Sequence, residues 1–128
     1  MPFTYEIDEE RDFVSIVASG KITTEEALAT YDAIVAEPAF SPGMKILSDH
    51  RELETVLPIA FVRAWISRIE EAGKLFRGTR AALVESGTVR YGMARMASIL
   101  TEPTSIDMRV FRDIDEARRW LDAPVRLF

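Results

Sequence analysis

Beyond residue 20 the chain repeatedly switches period, with apolar residues at three- and four-residue spacing alternating with short apolar runs of two-residue or continuous pattern. Few folds accept that order, because strand, helix and strand in succession close most readily as a right-handed crossover within a parallel sheet. Thr23 or Thr24 can cap a helix carrying Ala27, Leu28, Tyr31, Ile34 and Val35, with Glu25 and Glu26 near its positive end and Pro38 closing it. The turn residues Ser41-Pro42-Gly43 lead into a short strand, Met44 to Leu47, which runs into the polar cluster Ser48-Asp49-His50-Arg51. From Pro58, Val62, Trp65, Ile66, Ile69 and Ala72 form one face of a second amphipathic helix. Arg80 to Val84 reads as a buried strand, and a third helix opens at Thr88 with Val89, Met93, Met96, Ala97 and Leu100 as its apolar set. Ile106 to Phe111 is the last strand, and Asp113 with Glu116 fits a capping box that opens a final helix.

Ahead of this alternation, Phe3, Tyr5 and Ile7 interleave with Thr4, Glu6 and Asp8, and Phe13 to Ala18 is rich in β-branched residues, as an antiparallel hairpin requires. The expected class is therefore α/β. A single domain over residues 1–128 should hold a mostly parallel five-stranded sheet with an N-terminal hairpin and four helices, a size that leaves little room for a second core.

The reactive inventory is small. With no cysteine and one histidine, His50, the chain has no thiol nucleophile, no disulfide, no cysteine-based zinc site and no metal site that needs two imidazoles. No cofactor or metal is expected. Sixteen Lys and Arg against 21 Asp and Glu give a net charge of -5, the wrong sign for holding a phosphate backbone, so nucleic acid is not an expected partner. The first residues lack a basic, apolar leader and no apolar run approaches the roughly 20 residues that span a bilayer, which points to a cytoplasmic location without a transmembrane segment. Phosphate-loop, dinucleotide, nucleophile-elbow and zinc-protease motifs are all missing.

Three groups stand out as candidate binding positions. Asp49, His50 and Arg51 sit at a strand end, where open α/β sheets build their sites. Together with Ser48 they contain the types used in nucleophilic catalysis, but a triad needs a base oriented by a third group, and neighbours along an extended segment point in different directions. No catalytic residue is assigned on that pattern. Tyr91 and Arg95, one turn apart on the third helix and opposite Met93 and Met96, suit recognition of a partner or ligand, while Ser86 to Thr88 caps the helix or presents its N–H groups to an anion. Phe61, Trp65 and Arg68 widen the apolar arc of the second helix, either as an interface, most simply in a homodimer, or as a surface buried between the sheet and a neighbouring helix. Val125 to Phe128, after Pro124, is a packed tail or a contact segment.

The placement of Asp49-His50-Arg51, the run Val89-Arg90-Tyr91-Gly92-Met93-Ala94-Arg95-Met96 and above all the closing pattern V-F-R-D-x-x-E-A-x-x-W-L over residues 110–121 resembles the bacterial STAS/SpoIIAA-like proteins, which include anti-sigma-factor antagonists. That resemblance covers nearly the whole chain and implies a regulatory or protein-interaction module without catalysis. Its relatives switch by serine phosphorylation in an Asp-Ser-Ser-Gly-like turn after the third strand. Here the corresponding stretch is Arg51-Glu52-Leu53-Glu54-Thr55-Val56-Leu57-Pro58, where Thr55 alone could stand in and Glu52 and Glu54 would repel an added phosphate. Lipid-carrying Sec14-like folds are also related, so a carrier of a small apolar or anionic ligand is the alternative. A pocket for such a cargo is typically about 300 to 1,000 Å³. A hydrolase centred on His50 is the remaining alternative.

Overall fold

The hairpin forms as its alternation requires. In the computed structural model, which describes residues 2–124, β1 (Phe3–Asp8) pairs antiparallel with β2 (Phe13–Gly20), Phe3 lying opposite Ala18 and Asp8 opposite Phe13. Asp12 turns the chain in the left-handed region, at φ 57°, where a short polar side chain is better tolerated than a branched one.

Four helices alternate with the remaining strands: α1 (Thr24–Ala36), β3 (Lys45–Leu53), α2 (Ile59–Ala72), β4 (Arg80–Val84), α3 (Thr88–Leu100), β5 (Asp107–Phe111) and α4 (Ile114–Asp122). The sheet runs β1-β2-β3-β4-β5, and every pair from β2 onward is parallel. Each crossover steps one strand in the same direction, so right-handed connections put α1, α2 and α3 on one face. There Tyr31, Ile34, Val35, Trp65 and Ile69 pack with Val14, Ile16, Ile46 and Ala81, around a Phe76 ring that stacks on Tyr31 at 5.8 Å. The opposite face is covered by α4, whose Ala117 and Leu121 are fully buried against Leu47, Ala82 and Val84.

Local chemistry fixes the helix ends. Thr23 makes a reciprocal capping box with Glu26, its hydroxyl accepting from the Glu26 N–H at 3.1 Å while the Glu26 carboxylate accepts from the Thr23 N–H at 2.9 Å. Asp113 caps α4 by accepting from the Asp115 N–H at 2.9 Å, in place of the box with Glu116 that the sequence suggests. Gly87, at φ 83°, is the N-cap of α3 and has no side chain to cap it, while the Ser86 hydroxyl before it donates to the Arg51 carbonyl at 2.8 Å. Arg80 gathers the frayed end of α4, its guanidinium donating to the carbonyls of Trp120 and Ala123 at 2.8 and 2.7 Å. Arg80 and Arg109 both lie over the Trp120 ring, their charged carbons 5.5 and 5.0 Å from its centre.

Two sequence expectations shift. The third strand does not stop at Leu47 but continues through the polar cluster to Leu53, because β2 reaches Gly20 and supplies ladder partners as far as Gly20 opposite Leu53. On α3 the buried positions are Ala94 and Ala97, whereas Val89 is 67% exposed and Leu100 41%. Small residues there let α3 approach the sheet closely. Val125 to Phe128 lie outside the described residues.

Candidate functional site

The pleat of β3 divides the polar cluster. Residues two apart share a face, so Ser48 and His50 point beneath α1–α3 with Ile46, while Asp49 and Arg51 point the other way. Asp49 and Arg51 close on each other in a forked ion pair, at 2.9 and 2.8 Å. The Arg51 hydrogen bonds hold the Asp49 carboxyl below its ordinary range, against a partial burial that opposes them. This trio is thus two separate pieces.

His50 acquires its companions from both directions. The Ser48 hydroxyl meets His50 Nε2 at 2.7 Å, and His50 Nδ1 meets a Glu85 carboxylate oxygen at 2.6 Å. Register explains the second contact: Asp49 lies opposite Val84, so Glu85, the residue that leaves β4, comes beside His50. With the carboxylate as acceptor, Nδ1–H donates to Glu85 and Nε2 is left to accept the Ser48 proton. Glu85 is 5% exposed and Ser48 8%, so the chain of three is buried and mutually satisfied. Glu85 escaped the sequence reading. Its signal was a lone acid directly after the buried run Ala81 to Val84, one parallel strand away from the only histidine.

This chain forms the polar part of a cavity of about 190 Å³ between the sheet and α1–α3. Most of the wall is apolar, with Ile16, Ile46, Phe61, Trp65, Met93 and Ala97 contributing. Tyr31 and Arg90 also line it, and among the described residues the buried Tyr31 Oη and Arg90 Nε find no hydrogen-bond partner. Burial pushes the Tyr31 hydroxyl up to about 12, so it remains a proton donor at neutral pH.

The other candidate positions fall around this cavity in different ways. Phe61 and Trp65 line it, half-buried, and Arg68 bridges to Asp32 on α1 at 3.0 Å. Tyr91 lies under the Arg112 guanidinium, 4.2 Å from its ring centre, and Arg95 is exposed on the next turn; neither lines the cavity. Thr55 is half-buried at the cavity wall, its hydroxyl oxygen accepting from the Ile22 N–H at 3.0 Å. Sequence reasoning placed His50 at the site but not Ser48 as its partner, nor Arg90, which reads as one of several charges on a helix.

A five-stranded mixed sheet with three helices over one face, one over the other and a part-polar cavity under the three defines a small α/β domain built around an interior cavity. The chain belongs to the SpoIIAA-like family, whose model matches residues 13–122. It is similar in fold to an uncharacterised protein with a SpoIIAA-like fold from Shewanella loihica, with 22% identity, 93% of each chain covered and a TM-score of 0.60. It is likewise similar to an anti-sigma factor antagonist from Mycobacterium paratuberculosis, with 18% identity over 94% of this chain and 95% of that one and a TM-score of 0.59. No curated protein matches it. No helix among the described residues is long and apolar enough to cross a membrane.

Proposed function

We propose that the protein is a regulatory module that acts by binding, and that a small, largely apolar molecule held between the sheet and α1–α3 is its ligand. The single observation that carries this is the cavity, apolar over most of its wall. Its volume decides the ligand's scale. At about 190 Å³ it lies below the range of drug-sized sites and above the engineered cavity of about 150 Å³ that accepts benzene, so it suits one ring or one short chain and excludes a two-chain lipid. The likeness to an anti-sigma factor antagonist supports a protein partner as the recipient of the signal. The exposed apolar residues Val89 and Ile99 on α3 offer that partner a surface.

Trp65 lines the cavity whereas Trp120 lies on the opposite face, so a Trp120→Phe protein carries its reporter at the site. Titration with 1-octanol should shift its emission saturably. A flat response would remove the cavity as a binding site. Native mass spectrometry of the protein from its own cytosol should show the natural ligand or an oligomer; a bare monomer counts against the module.

A second reading rests on a different observation, the order hydroxyl, imidazole, carboxylate from Ser48 through His50 to Glu85, which is the order of a nucleophile, its base and the base's orienting group. In an ester hydrolase Ser48 Oγ would attack the carbonyl, its proton passing to His50 Nε2 and then to the departing alcohol. Water would next release the acid and restore Ser48. Turnover of p-nitrophenyl butyrate that Ser48→Ala abolishes supports this reading. Turnover no faster than buffer, or unchanged in Ser48→Ala, ends it.

A further inference from the structure

We infer that the cavity selects an apolar molecule ending in a carboxylate, and that Arg90 is the residue that reads this group; the inference rests on the cavity being a binding site. Besides the tyrosine Tyr31, the wall contains three charged or chargeable side chains, and two of them already satisfy each other. Glu85 is engaged by His50, and His50 by Ser48 at its other nitrogen. Arg90 is different. Among the described residues it forms no ion pair within 4.0 Å, and its Nε is fully shielded from water without any acceptor. A donor left in that state weakens the folded chain, and a charged one more than a neutral one.

An incoming group that repairs this defect must accept a hydrogen bond and carry negative charge. A guanidinium offers Nε–H and a neighbouring N–H in a fixed fork that matches the two oxygens of a carboxylate. Arg90 stands in the first turn of α3, whose helix end adds positive potential in the same direction. A cationic head would meet Arg90 as a like charge and would find Glu85 occupied. A neutral hydroxyl could satisfy Nε but not the charge. The cavity volume limits the rest of the molecule to a single short chain or one ring, so the class is a short-chain or aromatic monocarboxylic acid.

Octanoate, 1-octanol and octylamine share one chain and differ only in the head, so calorimetric titration of all three into the intact protein isolates the contribution of that head. Octanoate should bind at least about tenfold more tightly than 1-octanol, the scale of a charged hydrogen bond, and octylamine no better than 1-octanol. Arg90→Gln should bring octanoate to the level of 1-octanol. Arg90→Lys, which keeps the charge but not the fork, should retain part of the preference. Benzoate in place of octanoate distinguishes a ring from a chain. Equal binding of octanoate and 1-octanol, tightest binding of octylamine, or a preference that survives Arg90→Gln overturns the inference while leaving the cavity as a site. Failure of all three molecules to bind overturns both. Unchanged far-ultraviolet dichroism and melting of the Arg90 variants keeps a folding defect from imitating the expected loss.

Discussion

His50→Ala should lower the unfolding free energy by about 3 kcal/mol, the scale of leaving a buried carboxylate without its hydrogen-bond donor. Glu85 is the reason. It is 5% exposed, and the imidazole 2.6 Å away is the partner that makes its burial tolerable. Without the imidazole, the carboxylate keeps its desolvation penalty and loses its compensation. For a domain whose total stability is typically about 5–15 kcal/mol, that loss brings the chain close to its folding threshold. Urea titration of the parent and the variant measures it as a fall in midpoint at unchanged slope. Adding Glu85→Gln to His50→Ala should recover a substantial part, because an amide is far less costly to bury unpaired than an ion. A loss under about 1 kcal/mol, or no recovery in the double variant, would mean that water reaches Glu85 and that the pair is not a buried one.

The second large effect belongs to the other side of the sheet. Leu121→Ala should cost about 2–5 kcal/mol, since a fully buried leucine is replaced where the surroundings have little means of closing the gap. Three helices share the cover of one face, but among the described residues α4 alone covers Leu47, Ala82 and Val84. Loosening α4 also disturbs the Arg80 bonds to its last carbonyls and the contact of Trp120 with two guanidinium groups. Ile99→Ala, at a site that is 55% exposed, is the control and should change stability by less than about 0.5 kcal/mol. Calorimetric melts give the comparison. Hydrogen exchange should show α4 losing protection in Leu121→Ala before β2 does; uniform loss across the sheet would contradict a locally docked helix.

The architecture was legible because its signals are local. Period-two alternation at Phe3, Tyr5 and Ile7, the threonine cap before Glu26 and the apolar stripe from Val62 to Ala72 each need only near neighbours to be read. The length of β3 was not, since polar residues 48–52 are held extended by a ladder to β2, a contact between segments some thirty positions apart in sequence. His50 could be singled out from its type and its place near a strand end. Ser48 could be read as its partner only once the strand was known to continue, for then residues 48 and 50 share a face. Glu85 required register between β3 and β4, and Arg90 required knowing which donors found no acceptor. Both are properties of three-dimensional accounting that no residue type announces.

The order of the strands has a consequence for how the chain reaches this state. Neighbours in the sheet are also neighbours in sequence, from β1 through β5, so no strand waits for a later one to be inserted between it and its partner. That order lets the sheet extend in step with synthesis from the N-terminus. Of these elements α4 is made after all five strands. Until it is made, the face bearing Leu47, Ala82 and Val84 is open to other surfaces, so the interval in which this face is exposed to misassembly ends with α4.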